Sequence, residues 1–284
     1  MNIAILGSAG QIGAYLKKFL QTKGHIIHEI DIMYGPKHDL RKTPNNFIEG
    51  IIKKSDFVFF LAFDVGGSHY LKKYQNTFQF INNNTQLMAN TFTLLNKYNK
   101  KFIFASSQMS NMGYSPYGIT KRIGELHTIS LKGLIVKFWN VYGIEHNMEK
   151  AHVITDFIKK GFEEKEFKMM TDGKERRQFL YAEDCCEALE MVMNKYDNFK
   201  PEDSLHITSF KFTSIKEIAK IIQKNFLDIN MKVIIKPGFE KDTVQMDKNN
   251  QPSEYITSWW KPKTSIEEGI KKVFIEMKRF YEKN

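Results

Sequence analysis

Tyr117 and Lys121 are four residues apart, and Ser106 and Ser107 precede them by a short loop. Residues four apart on a helix share a face, so the Lys121 ammonium would lie beside the Tyr117 phenol. A free phenol has a pKa near 10, and an adjacent cation lowers it toward the range in which general acid/base catalysis works at neutral pH. Tyr117 is therefore a candidate base. The same spacing occurs by chance in many helices of a chain rich in lysine and tyrosine, so other parts of the chain have to support it.

An upstream segment has the pattern of a cofactor-binding unit. The apolar run Asn2 to Leu6 leads into a turn with Gly7, Gly10 and Gly13, a helical repeat of apolar residues follows, and a second apolar run ends at Asp31. Glycines let the backbone approach a pyrophosphate, a helix N-terminus attracts it, and the acid accepts hydrogen bonds from the adenosine ribose. The alternative is a glycine turn in an ordinary parallel-sheet protein. Two apolar residues and no arginine follow the acid, which favours NAD over NADP.

Later apolar runs complete the expected sheet. Asp56 to Ala62 is apolar enough to be buried on both faces of a parallel sheet. A long helix from Lys72 to Tyr98 carries Asn84, which either contacts the cofactor or ties down backbone. The remaining expected elements are strands over Lys101 to Ala105, Leu134 to Phe138, Arg176 to Tyr181 and Lys232 to Lys236, and helices over Phe47 to Lys53, Val153 to Gly161, Ser214 to Asn225 and Ser265 to Tyr281. The candidate residues should meet at the carboxyl edge of the sheet.

This order of elements predicts an α/β fold, a Rossmann-type doubly wound parallel sheet with a smaller α/β C-terminal substrate domain. We expect residues 1–165 to form the NAD-binding domain, with 176–200 interleaved back into it. Residues 166–284 should form the substrate-binding region.

The composition is that of a soluble globular protein. Of 284 residues 42% are apolar, and the longest wholly apolar run has seven residues, whereas a membrane-spanning helix needs about 20. The first residues lack the regions of a signal peptide, so we expect a cytoplasmic protein that binds no membrane. The net charge of +10 (42 basic minus 32 acidic residues) is spread over scattered lysines, and no nucleic-acid module is recognised. Adjacent Cys185 and Cys186 are interpreted as packing residues, and no metal site is expected.

These residues resemble the extended short-chain dehydrogenase/reductase family, and within it the NAD-dependent nucleotide-sugar epimerases and dehydratases. The resemblance covers nearly the whole chain. It rests on Gly7, Gly10 and Gly13, Asp31, Leu61-Ala62, Ser106-Ser107, Tyr117 and Lys121, Asn140-Val141-Tyr142-Gly143, Arg177 to Asp184, and Trp260-Lys261-Pro262. Gly66-Gly67 followed by Asn83-Asn84-Thr85 is locally similar to the GDP-mannose 3,5-epimerase branch.

The resemblance implies roles for individual residues. Tyr117 would take the proton of a sugar 4-hydroxyl, Lys121 would hold the nicotinamide ribose and lower the Tyr117 pKa, and Ser107 would hydrogen-bond the reacting oxygen. Hydride would pass from sugar C4 to NAD and leave a 4-keto intermediate. Arg177 would contact the diphosphate of a nucleotide sugar or form a structural salt bridge, and Asn140 would contact substrate or cap a loop. The implied substrate site also includes Gly66 and Gln108, and the implied NAD site comprises Gly7, Gly10, Gln11, Ile12, Gly13, Asp31, Asp39, Leu40, Leu61, Ala62, Asn84, Ser106, Tyr117 and Lys121.

The sequence departs from the family pattern in two ways, one that concerns the reaction and one that concerns the cover of the pocket. Gln108 and Met109 follow Ser107, where dehydratases of the family carry Asp-Glu, decarboxylases a Glu and the 3,5-epimerase a Cys, and neither side chain exchanges a proton. Only nine residues separate Ser107 from Tyr117, where the family usually has a longer loop over the sugar. The pocket is therefore more open, or another segment such as His146 to His152 covers it.

The leading hypothesis is thus an epimerase that acts at C4 through a 4-keto intermediate and holds its NAD tightly. The alternatives are a net C4 dehydrogenase or 4-keto reductase with exchangeable cofactor, and a non-catalytic dinucleotide-binding protein. The apolar faces of the helices Lys72 to Tyr98 and Ser115 to Ser130 would pair across a two-fold axis in a homodimer, or form core within one subunit.

Overall fold

A computed structural model describes residues 1–145, 147–240 and 250–282 of the chain. Within these ranges the strands are β1 (Asn2–Leu6), β2 (Ile26–Ile30), β3 (Phe57–Phe60), β4 (Lys101–Ser107), β5 (Leu134–Phe138), β6 (Asn140–Tyr142), β7 (Glu166–Lys168), β8 (Arg176–Tyr181), β9 (Leu205–Ile207), β10 (Phe212–Ser214) and β11 (Ile234–Lys236). The α-helices are α1 (Gln11–Thr22), α2 (Asn46–Lys54), α3 (Ser68–Tyr74), α4 (Phe78–Lys97), α5 (Pro116–Ser130), α6 (Val153–Glu164), α7 (Ala182–Asn194), α8 (Ile215–Leu227) and α9 (Ile266–Tyr281).

A six-stranded parallel sheet, in the order β2-β1-β3-β4-β5-β9, is the centre of the molecule. Successive side chains of a strand point to opposite faces. Ile3 and Ile5 of β1 accordingly enter one apolar cluster with α1 and α7, whereas Ala4 and Leu6 enter another with α2 and α4. All four residues of β3 are buried because both faces of the sheet are covered. The predicted doubly wound α/β fold is confirmed.

Several elements differ from the predicted ones. The helix predicted from Lys72 to Tyr98 is two helices, α3 and α4, because the Thr77 hydroxyl accepts a hydrogen bond from the Phe80 amide and caps the start of the second. The sequence pattern does not predict β7, β9 or β10, since three residues carry too short a pattern to identify a strand.

A smaller set of elements follows β5. Strands β10, β8 and β6 form a three-stranded sheet, β11 pairs with β7, and α6, α8 and α9 enclose a separate apolar core. Helix α7 instead packs against α1 and joins the core of the large sheet. The chain therefore returns to the large sheet through α7 and β9. The division into residues 1–165 and 166–284 stays a prediction.

No helix in the described part of the chain is long and apolar enough to cross a membrane. Cys185 and Cys186 are free thiols that lie fully buried in α7. Their position agrees with a packing role.

Candidate active site

Ser107, Tyr117 and Lys121 come together at the carboxyl end of β4. Ser107 is the last residue of that strand, and the other two lie on α5, which packs against β4. The hydroxyl of Ser115 caps α5 by accepting a hydrogen bond from the Gly118 amide at 3.1 Å. The three side chains belong to residues that are 7%, 8% and 3% exposed, respectively. The predicted catalytic residues thus share one buried site.

The Lys121 ammonium points toward the sheet. Its Nζ donates a hydrogen bond to the carbonyl oxygen of Ala105 at 2.5 Å and lies 3.7 Å from the centroid of the Phe63 ring. Burial lowers the pKa of Lys121 to about 7, and the charge of Glu125 opposes this change. Burial therefore favours the neutral amine, and the charge of Glu125 favours the ammonium.

The expected lowering of the Tyr117 pKa by Lys121 stays a prediction, and burial of the phenol acts against it. The Lys121 Nζ lies 5.9 Å from the centroid of the Tyr117 ring, and its hydrogen bond goes to Ala105. Burial raises the pKa of Tyr117 to about 12, and the hydrogen bond with Ser107 offsets only part of this rise. Burial dominates because a phenolate is an anion that has been removed from water.

The turn after β1 fits a dinucleotide. Gly7 has φ +90°, and a Cβ there would lie 2.7 Å from the amide nitrogen of Ala62. A Cβ on Gly13 would lie 2.0 Å from the Gly7 carbonyl oxygen, so this glycine lets α1 pack closely on the turn. A Cβ on Gly10 would meet only that same oxygen, at 3.3 Å, which leaves one side of the turn open at the α1 N-terminus. Such a glycine cradle suits the pyrophosphate of NAD.

The Asp31 carboxylate supports the same turn. It accepts hydrogen bonds from the amides of Ala9 at 2.9 Å and Met33 at 3.0 Å. The carboxamide of Gln11 bonds the main chain at the end of β6, and Ile12 packs against the core. The side chains of Gln11 and Ile12 are thus engaged with protein groups. Their main-chain amides, in the first turn of α1, remain available to bind a pyrophosphate.

Asp39 and Asn84 are engaged with protein groups. The Arg41 guanidinium binds the Asp39 carboxylate through two hydrogen bonds of 2.9 Å and holds the pKa of that carboxyl below its usual range. Asn84 is fully buried, and its carboxamide bonds the main chain of Asp64 and Phe80. The geometry of Asn84 favours the structural alternative. The other predicted cofactor residues of this region pack in the apolar clusters of the large sheet: Leu40, Leu61 and Ala62.

The polar residues beside Ser107 face protein groups. The Ser106 hydroxyl donates a hydrogen bond to the Glu125 carboxylate at 2.5 Å. Gln108 is 2% exposed, and both its main-chain and side-chain carbonyl oxygens accept hydrogen bonds from the Asn250 carboxamide. Cofactor contact by the Ser106 side chain, or substrate contact by that of Gln108, would require these bonds to break.

A cleft with a cavity volume of about 80 Å³ lies beside β6, β8 and the start of α6. Asn140 and Arg177 both line it. The Asn140 carboxamide donates to the Gln178 carbonyl oxygen at 3.4 Å, and burial lowers the pKa of Arg177 while the charge of Glu175 opposes this. Other polar lining residues include His69, His152, Asp156, Lys168 and Glu175. Since Ser107, Tyr117 and Lys121 do not line this cleft, it suits a part of a ligand remote from the reacting atoms.

The segment Asn147 to His152 lies on the Gly66-Gly67 turn that follows β3. The Gly67 amide donates to the Lys150 carbonyl oxygen at 2.9 Å, and the Lys150 Nζ binds the Asp64 carboxylate at 2.7 Å. A Cβ on Gly66 would lie 2.9 Å from the Lys150 Cα. Gly66 therefore permits this close packing. The segment His146 to His152 is the one suggested above as a cover of the pocket. Its first residue, His146, lies outside the described residues.

Sequence reasoning missed three charged residues near the site: Arg41, Glu125 and Lys137. Glu125 follows Lys121 by four residues, the same spacing that separates Lys121 from Tyr117. This spacing could have placed Glu125 on the same face of the helix. Lys137 stands in the otherwise apolar β5 and is 4% exposed. A lysine inside an apolar strand is a usable signal for a buried ion pair.

The model of the NAD dependent epimerase/dehydratase family matches residues 3–208. The chain belongs to that family. It is 28% identical over 275 residues to UDP-N-acetyl-alpha-D-glucosaminuronate decarboxylase of Bacillus cytotoxicus, covering 84% of this chain and 83% of that protein. It is 23% identical over 327 residues to GDP-mannose 3,5-epimerase 1 of Oryza sativa subsp. indica, covering 100% and 83%, respectively. The crystal structure of UDP-glucose 4-epimerase with UDP-glucose from Thermotoga maritima superposes with a TM-score of 0.77 and 19% identity, covering 99% of this chain and 100% of that one.

Family membership confirms that the chain is an enzyme of the extended short-chain dehydrogenase/reductase type and that its cofactor is NAD. The glycine turn, the acid at the end of β2 and the Ser/Tyr/Lys set all lie within the matched residues. The roles of the individual residues stay predictions.

Proposed function

We propose that this protein is an NAD-dependent nucleotide-sugar epimerase that acts at C4 of the sugar through a 4-keto intermediate. One observation carries the proposal: Ser107, Tyr117 and Lys121 share a buried site, and the next two positions add no acid or base. Gln108 is a carboxamide and Met109 a thioether, and they are 2% and 1% exposed. This set suits a reaction in which one group moves a proton at one oxygen.

In the first half of the reaction, Tyr117 as its phenolate takes the proton of the C4 hydroxyl. Ser107 donates a hydrogen bond to the C4 oxygen as that oxygen becomes a carbonyl, and the charge of Lys121 favours the phenolate. NAD, when bound at the Gly7 to Gly13 turn, would supply the hydride acceptor for C4 and, once reduced, the donor that restores the hydride on either face. Tyr117 then gives its proton back to the C4 oxygen. One proton leaves and one returns, so the sugar is epimerised without net oxidation.

The cleft beside β6 and β8 supports a nucleotide-diphosphate sugar as substrate. Arg177 lines it, and a guanidinium can bind phosphate oxygens through two parallel hydrogen bonds. Asn140 adds a carboxamide at the same cleft. Relatives named for UDP-sugars and for GDP-sugars both align with the chain, so the substrate class proposed is the nucleotide-diphosphate sugar without a chosen base.

Decarboxylation, dehydration and 3,5-epimerisation are disfavoured, although a decarboxylase is among the relatives. By resemblance, each of these outcomes uses a proton-exchanging side chain directly after the serine. Gln108 has no such group. Its carboxamide is held by Asn250, which fixes it in place beside Ser107.

The test is incubation of the purified protein with NAD and a panel of UDP-, GDP-, CDP- and dTDP-hexoses plus UDP-glucuronic acid, followed by NMR of the products. We expect one pair of C4-epimeric nucleotide sugars to interconvert without a net absorbance change at the nicotinamide band. A stoichiometric absorbance change would indicate a C4 dehydrogenase or 4-keto reductase, and a pentose product a decarboxylase. A protein that binds NADH but converts no member of the panel would contradict the proposal.

We also propose a homodimer formed through α4 and α5. These helices pack against each other, and their outer surfaces carry exposed apolar side chains, among them Phe78 (80% exposed), Ile119 (46%) and Leu126 (56%). Apolar side chains on adjoining surfaces favour association, and a two-fold axis would bury both sets in one four-helix contact.

A further inference from the structure

A third residue of α5 shares the face that carries Tyr117 and Lys121. Glu125 follows Lys121 by four residues and Tyr117 by eight, so the three lie along one side of the helix. Glu125 is 1% exposed. A buried carboxylate destabilises a protein unless other groups pair with it, so the partners of Glu125 indicate why it is there.

The Glu125 carboxylate is held by three side chains. The Ser106 hydroxyl donates to it at 2.5 Å, the Lys137 Nζ lies at 3.2 Å, and the Arg122 Nη1 donates at 2.7 Å. Burial raises the pKa of Glu125, but these hydrogen bonds and charges outweigh burial and leave that pKa below its usual range. Glu125 is therefore ionised at neutral pH.

Two of these partners belong to one row of the large sheet. Ser106 on β4 and Lys137 on β5 are register partners, and Lys137 is in turn the partner of His206 on β9. The His206 Nδ1 accepts a hydrogen bond from the Trp139 indole at 3.2 Å, and burial with the charge of Lys137 lowers the pKa of His206 to about 4. His206 is therefore neutral at neutral pH. The charges facing Glu125 are Lys137 from the sheet, and Arg122 and Lys121 from its own helix.

Among the described residues, few groups compensate the charge of Lys121. Its ammonium faces the rings of Phe63 and Phe104, the phenol of Tyr117 and the carbonyl oxygen of Ala105. A carbonyl and aromatic faces stabilise a buried cation less than a carboxylate does. Glu125, one helical turn away, supplies a negative charge on the same side of α5.

We propose that Glu125 is a positioning residue that keeps Lys121 protonated and fixes α5 against the strand that carries Ser107. The carboxylate acts through its charge on Lys121 and through its bonds to β4 and β5. This inference rests on Tyr117 and Lys121 as the reacting pair. It does not depend on whether the reaction is C4 epimerisation, and no proton or electron passes through Glu125.

The test is an NMR titration of Lys121 in the protein labelled with ¹³C at the lysine Cε, with the resonance identified by its loss in Lys121→Arg. The wild-type midpoint should lie near pH 7. In Glu125→Gln the midpoint should fall by about one pH unit, because a charge one helical turn away is lost. Glu125→Asp keeps the charge and should restore most of the wild-type midpoint. Lys137→Met disrupts the same cluster of side chains but removes a positive charge. The Lys121 midpoint in this variant should therefore not fall.

A folded Glu125→Gln variant with the wild-type midpoint would overturn the proposal, since a residue that only packs the helix would lower the unfolding temperature and leave the titration unchanged. If Glu125→Gln does not fold, Glu125→Gln/Lys137→Met removes both members of the buried pair and leaves neither charge unpaired. Its midpoint should still lie below the wild-type one, and an unchanged midpoint would again overturn the proposal. The titration uses no sugar. Its outcome is therefore independent of whether the substrate panel yields a product, so a failure of the proposed function and a failure of this inference can be distinguished.

Discussion

Replacement of Gly13 by alanine should weaken NADH binding at least tenfold. The added Cβ would lie 2.0 Å from the Gly7 carbonyl oxygen and 2.8 Å from the Ser8 Cα, and ordinary contacts begin at 3.4 Å. The N-terminus of α1 must therefore move by about 1.4 Å (3.4 minus 2.0) away from the turn. Both obstructing groups are backbone, so no side chain can rotate away. A shift of that size misaligns the first-turn amides with a pyrophosphate, and forcing a methyl group into a closed contact costs about 1–3 kcal/mol of stability.

Isothermal titration calorimetry with NADH measures the affinity, and thermal unfolding measures the stability. Gly50→Ala is the matched control, because Gly50 lies within α2 and its Cβ would meet no atom of the described residues within 4 Å beyond its own stretch of helix. This control should gain about 0.5–1 kcal/mol of stability and keep its NADH affinity. NADH affinity within twofold of wild type in Gly13→Ala would refute the claim that close packing of α1 on the turn forms the cofactor site.

Three further predictions concern the reaction, the substrate and the assembly. Tyr117→Phe should lower kcat by at least about 100-fold in the NMR assay, because the proton-transfer group is lost, with NADH affinity changed less than threefold; substantial residual turnover would exclude Tyr117 as the base. Arg177→Met should raise KM about tenfold with a smaller effect on kcat, because charge-assisted bonds to the diphosphate are lost; a fall in kcat alone would contradict this role. Leu126→Glu should convert a dimer to a monomer in sedimentation velocity at micromolar concentration, and a monomeric wild-type protein would disprove the dimer.

The catalytic and glycine motifs can be predicted from the sequence because each is local. Tyr117 and Lys121 lie on one helix, and Gly7 to Gly13 span one turn, so their spacing fixes their relation. The sheet follows from successive apolar runs joined by helices, since right-handed crossover connections leave few topologies. The amino-acid sequence is therefore enough to predict the fold class and the grouping of these residues at the edge of the sheet.

Features that depend on distant contacts could not be predicted in this way. Strand β9 pairs Leu205 with Val136, and three residues give no periodic signal of their own. Asn250 reaches Gln108 from 142 residues away in the chain. The direction of the Tyr117 pKa shift is set by burial, which a four-residue spacing does not report.

Burial has the same chemical effect on both members of the Tyr117 and Lys121 pair, since it favours their neutral forms. Burial raises the pKa of the phenol to about 12 and lowers that of the ammonium to about 7, so both groups move toward their neutral forms. A neutral amine gives the phenolate no electrostatic support. Any charge that opposes burial at Lys121 therefore also raises the fraction of active base at Tyr117. The ionised Glu125 lies on the same side of the helix and is held there by Ser106 and Lys137. Its negative charge favours the protonated form of Lys121, so the ionisation of the pair also depends on a residue one helical turn away from the reacting groups.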